Sequence, residues 1–143
     1  MATDDILLSN LLLDGQNPRL EIQDSQREAL HAMAIVQAEK LFKLAKDIVD
    51  YGINPTERPI VLPIEGDKKR YIVLEGNRRV AALKILSTPH LISDAVSPSL
   101  AKRFKQLSER FQQSPIDSLD CLIVDSREEA DHWITLRHND ANQ

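Results

Sequence analysis

Two adjacent arginines behind a carboxylate and a glycine are the residues of this sequence best suited to chemistry. They stand in Val73-Leu74-Glu75-Gly76-Asn77-Arg78-Arg79-Val80-Ala81-Ala82-Leu83-Lys84, which reads as an apolar strand, a glycine turn and a helix. A helix N-terminus favours anions, and a cation there costs a few tenths to ~1 kcal/mol. An arginine pair at such a place is explained by an anion seated among them. Free backbone N–H groups and forked guanidinium donors then meet phosphate oxygens together. Gly76 allows a close backbone approach. Glu75, at the end of the strand, is the best-placed carboxylate to hold a metal ion or orient water during phosphoryl transfer. The competing reading is that Arg78 and Arg79 pair with surface carboxylates and that Gly76 only turns the chain.

The surrounding elements must position this segment. Ile6–Leu13 reads as a strand or two half-strands broken at Ser9-Asn10, ended by the turn formers Asp14-Gly15-Gln16-Asn17-Pro18. Ser25-x-x-Glu28 fits a capping box. Leu30, Met33, Ala34, Leu41, Leu44, Ala45 and Ile48 then follow helical spacing to the stop at Gly52, as one helix over Asp24–Asp50 or as two with a bend near Val36-Ala38. Arg58–Ile64, with prolines at 59 and 63, suits an edge strand or the beginning of one. Arg70–Leu74 reads as a central strand and Asn77–Leu86 as the helix behind the turn, anchored by Val80, Leu83 and Ile85. Ser97-Pro98 opens a helix over Pro98–Gln112 with Leu100, Phe104, Leu107 and Phe111 on one face. Leu119–Val124 is a further strand. Ser126-x-x-Glu129 caps a last helix over Ser126–Arg137 with Ala130, Trp133 and Ile134 inward. The expected architecture is one small α/β (α+β) domain, a mixed sheet with surrounding helices.

Composition narrows the function classes. The chain of 143 residues is 42% hydrophobic and 28% charged, enough for one ordinary core. A net charge of -4 argues against a surface given over to nucleic-acid backbone, and 4% aromatic residues argue against a base-stacking platform. A single cysteine, Cys121, excludes an internal disulfide and a cysteine-based zinc site, and is read as core. No apolar run reaches the ~20 residues of a membrane span. The opening Met1-Ala2-Thr3-Asp4-Asp5 is acidic, unlike a secretory signal, so a cytoplasmic location is expected. His31, His90, His132 and His138 lack metal-ligand spacing, and Asp14 is a turn cap before it is a magnesium ligand. Lys68-Lys69-Arg70 reads as a solvated basic turn. The polar ending after His138 suggests that the chain continues in a longer protein.

Leu74-Glu75-Gly76-Asn77-Arg78-Arg79-Val80-Ala81-Ala82-Leu83 resembles the Gly-x-Arg-Arg-x-x-Ala box of the ParB/sulfiredoxin-like fold, which binds a nucleotide triphosphate in the partition branch. Asn17-Pro18-Arg19 is similar to the element after that domain's first strand. The stretch from Tyr51 to Val61 looks like the one forming the nucleobase-side wall, and Trp133–Asn139 falls at the second phosphate motif. The resemblance spans residues 6–140. It implies phosphate or nucleotide contacts from Arg19, Gly76, Asn77, Arg78, Arg79, Arg137 and Asn139, and base-side contacts from Pro59 and Ile60. Glu75 and His138 are the implied catalytic pair, with Glu75 also the metal ligand. The cofactor is then an NTP with Mg2+. Partition ParB has Gly-Glu-Arg-Arg; here the carboxylate precedes the glycine, as in nucleotide-hydrolysing and kinase-like branches. Sulfiredoxin needs a cysteine where this chain has Asn77. Such variants look like domains of DNA-modification and phage-defence proteins, so DNA contact through other regions and homodimerisation are implied partners. The alternatives are a metal-dependent nuclease built on Asp14, Glu75 and Asp140, or a non-catalytic interaction module.

Overall fold

A computed structural model describes residues 1–15, 19–67 and 69–141, the side chains of 139–141 excepted. The chain runs β1 (Ala2–Leu7), a 3-10 turn (Leu8–Asn10), β2 (Leu11–Leu13), α1 (Ile22–Tyr51), β3 (Ile60–Pro63) and β4 (Tyr71–Glu75). It continues through α2 (Asn77–Ser87), a second 3-10 turn (Pro89–Ile92), α3 (Pro98–Phe111), β5 (Ser118–Ile123) and α4 (Arg127–Ala141). The strands form one mixed sheet in the order β1-β5-β3-β4-β2. β1 pairs antiparallel with β5, β3 parallel with β5 and antiparallel with β4, and β2 parallel with β4.

That order imposes curvature. β1 and β2 are the two edges of the sheet, yet only Leu8–Asn10 joins them. Four strand spacings in a flat sheet would separate the edges by ~19 Å. The few intervening residues, wound as a 3-10 turn rising ~2 Å each, fall well short of that. The sheet therefore curls until its edges approach. The Leu8 N–H donates to the Asp117 carbonyl at 2.7 Å, and the Lys84 ammonium donates to the Leu8 carbonyl at 3.1 Å, tying the turn to its neighbours.

Strand alternation divides the apolar residues between two faces. Val61, Val73, Leu119 and Cys121 join the main core with α1, α2 and α3. Ile60, Leu62, Leu74, Leu122 and Val124 face α4, meeting Ala130 and Ile134. α2 is almost wholly enclosed: Val80, Ala81, Ala82, Leu83, Ile85 and Leu86 are all buried. The Phe42 and Phe104 rings meet edge-on with centroids 5.2 Å apart, joining α1 to α3.

Three local expectations are corrected. β3 lies inside the sheet, between β5 and β4, because Pro59 and Pro63 bound it and leave its interior able to donate. Ser25 does not open α1: the helix has already begun at Ile22, and Ser25 is buried a turn inside it. Trp133 is 41% exposed, since α4 covers only a narrow strip of sheet and Ala130 and Ile134 fill it. Of the two readings of Ile6–Leu13, the pair of strands is the one found, parted at Leu8–Asn10 and lying on opposite edges. The bend in α1 falls at Gln37 (φ -125°, ψ 29°), within the stretch where a break was left open. The caps at Ser97 and Ser126 hold, each accepting a backbone N–H at 3.2 Å, from Leu100 and Glu129.

Candidate anion site at the start of α2

β4 delivers the chain to Gly76 through the buried Val73. Gly76 is left-handed (φ 96°, ψ 17°), a conformation that L side chains rarely adopt. A Cβ there would also stand 3.3 Å from the Pro59 Cα and Cβ. Glycine is thus needed twice, for its backbone angle and for the closeness of the 52–59 loop. The Val80 N–H closes the first helical bond on the Gly76 carbonyl at 3.1 Å. The three preceding N–H groups, of residues 77–79, meet no acceptor among the described residues.

The two arginines part company. Arg79 donates to a Glu57 carboxylate oxygen at 2.6 Å and to the Glu57 carbonyl at 2.8 Å, and its side chain is only 13% exposed. It fastens the 52–59 loop to α2. Arg78 points elsewhere, because neighbouring helical residues are ~100° apart around the axis. It is exposed, makes no hydrogen bond or ion pair among the described residues, and borders a shallow hollow under the α1 bend with Val36 and Gln37.

Asn77 is a clamp. Its amide N–H donates to the Val73 carbonyl at 2.8 Å, and its amide oxygen accepts the Asp14 N–H at 3.0 Å. Asp14 receives both guanidinium nitrogens of Arg127 at 3.1 Å, and this hydrogen bonding holds its carboxyl below the ordinary 3.8 despite partial burial. The end of β2, the start of α2 and the start of α4 are joined through these two side chains.

Glu75 and His138, the two residues proposed for catalysis, do come together. His138 Nε2 lies 3.2 Å from Glu75 Oε2, although 63 positions of chain separate 75 from 138. A bulge is the local cause. Ile60 pairs with Glu75 and Val61 with Val73, leaving Leu74 as the extra residue on β4. The interrupted alternation lets Leu74 pack toward α4 while the next residue also reaches it. At the position before His138, both Arg137 end nitrogens lie 3.4 Å from the Arg58 carbonyl, a long contact, and Arg58 Nε is 2.6 Å from an Asp120 oxygen.

The remaining candidates are differently placed. Ile60 is 1% exposed beneath α4, and Pro59 is buried against Gly76, so both are packing residues, not an open base-side wall. Arg19 is exposed in the turn before α1. Asn17 and Pro18 of its motif, Lys68 of the basic turn, and the Asn139 and Asp140 side chains lie outside the described residues. Among the described residues no three His, Cys, Asp or Glu side chains converge as metal ligands. Sequence reasoning missed Glu57 and Arg127, the partners that engage Arg79 and Asp14. The charge of the Glu57-Arg58 pair just before Pro59 was the available signal. No helix is long and apolar enough to cross a membrane, among the described residues. Comparison with protein-family models, curated proteins and solved structures gives no match.

Proposed function

We propose that this chain is a cytoplasmic nucleotide-binding domain that seats the polyphosphate of an NTP on the N-terminus of α2. The observation that carries the reading is that, among the described residues, the N–H groups of residues 77–79 meet no acceptor and Arg78 no partner, just behind the left-handed Gly76. Arg79 already has its counter-charge in Glu57, so one guanidinium and the helix dipole remain for the anion. Glu75, one residue before the turn, is the group to hold Mg2+ or to orient a water molecule, and His138 steadies its carboxylate. A single carboxylate suits Mg2+, which keeps several waters and takes other oxygens from the phosphates themselves. The reading extends to slow hydrolysis acting as a switch in a DNA-associated or phage-defence protein. The nuclease alternative loses its first carboxylate, since Asp14 is committed to Arg127.

The test is a titration with each of ATP, CTP, GTP and UTP plus Mg2+, followed by the amide resonances of residues 76–79. Saturable shifts there, weakened by Arg78→Ala, support the reading. Shifts confined elsewhere, or no saturable shift with any of the four, overturn it.

A further inference from the structure

A second hollow lies at the other end of α2, ~10 Å along the helix axis from the arginines. It is a cleft of about 700 Å³ between the 3-10 turn after β1, the first turns of α1 and the last turn of α2. That volume falls within the range of small-molecule sites. Its aliphatic lining includes Leu8, Leu12, Ile22, Leu30 and Leu91, set among glutamine, serine and threonine side chains.

Into this apolar space comes one lysine. Lys84 is half-buried, and its ammonium group uses one of three donors, on the Leu8 carbonyl at 3.1 Å. No carboxylate lies within 4.0 Å of Nζ among the described residues. Burial pushes Lys84 below the usual lysine range, the direction expected of a cation without a counter-charge. The other charges around the cleft do not supply one. Arg70 is engaged by Asp67, Arg27 is a second exposed cation, and Asp117 contributes its carbonyl to Leu8 while its exposed carboxylate stays at the rim.

We propose that this cleft binds a small apolar monocarboxylate, its hydrocarbon part against the leucines and its carboxylate on Lys84 Nζ. A single charge at the end of an apolar chain matches a single ammonium at the end of an apolar cleft. Inorganic phosphate would bring no apolar surface for the walls. The inference is independent of the nucleotide reading, since the two sites share no residue.

Octanoate is the probe, with octanol as the uncharged partner of the same tail and inorganic phosphate as the bare anion. In the wild-type protein octanoate is expected to shift the Lys84 Cε–H resonance and the Leu8, Ser9 and Leu91 amides saturably. Octanol should bind more weakly, and phosphate should not displace octanoate. Lys84→Met, which keeps the aliphatic stem, should weaken octanoate at least tenfold and leave octanol unchanged. Should that variant fail to fold, the wild-type Lys84 resonance decides alone. The proposal is overturned if octanoate moves only surface lysines, if phosphate competes for the cleft, or if Lys84→Met binds octanoate as tightly as wild type.

Discussion

His138 Nε2 of α4 meets Glu75 Oε2 at the end of β4, 3.2 Å away, and an irregular register between β3 and β4 makes the meeting geometrically available. Glu75→Gln keeps shape and hydrogen bonding while removing the charge. If Glu75 orients water or holds Mg2+, nucleotide affinity should stay within a few-fold while turnover falls ~100-fold or more. Parallel binding and single-turnover measurements check this. A change in affinity with unaltered turnover per bound nucleotide would make Glu75 a neutralising group only.

The divergent arginines give a paired prediction. Arg78→Ala should weaken nucleotide binding by roughly 1–3 kcal/mol, the range for charge-assisted hydrogen bonds, with little change in Tm. Arg79→Ala should lower stability by roughly 1–2 kcal/mol, because Glu57 and its carbonyl lose their shared donor. Calorimetric titration and thermal melts of both variants separate the two roles. Equal effects on both observables would refute the division.

Gly76→Ala should cost roughly 2 kcal/mol or more in urea unfolding, since it combines an unfavourable backbone angle with crowding against Pro59. Gly66→Ala makes a control: that residue is also left-handed (φ 79°), but a Cβ there meets nothing within 4 Å. The excess cost at Gly76 measures the crowding.

Asp14 makes the stability depend on pH with a definite sign. Its hydrogen bond to Arg127 lowers the folded-state carboxyl below 3.8, so the folded form favours the ionised group. The contribution is complete above the unfolded value and disappears as pH falls through the folded one. Wild type should therefore exceed Arg127→Met in unfolding free energy at neutral pH. The gap should close as the pH is taken down through and below 3.8.

Cys121 is fully buried, and its thiol is pushed up to about 12 by burial and by Asp120, Asp5 and Asp4. It should resist thiol reagents at mildly alkaline pH in the native protein and react promptly once unfolded. Rapid native labelling would contradict the packing of β5.

Much of the fold could be read locally because its signals are local. Ser97-Pro98 and Ser126 mark the starts of α3 and α4, Gly52 ends α1, and the apolar spacing of Leu100, Phe104, Leu107 and Phe111 is the buried face of α3. What resisted reading depends on residues far apart. The position of β3 within the sheet is set by β5, which comes 58 positions after its first paired residue, Ile60, at Ser118. Ser25-x-x-Glu28 imitates a cap because the pattern carries no mark of whether the helix has already begun. The same limit divides the site. Gly76 and the helix behind it were legible from Glu75 to Lys84, whereas Glu57, which engages Arg79, sits 22 residues upstream.

The pairing of β1 with β5 also governs how the molecule comes together. Ala2 finds its place beside Ile123, so β1 is synthesised before its neighbour and waits for all four later strands. Until then β5 lacks that neighbour and the sheet cannot finish its curl. Contacts of such long sequence separation slow folding, because loop closure must be met before they give anything back. Assembly of this domain is thus coupled from one end of the chain to the other, and a nascent chain halted before residue 118 would hold its first strand without a partner.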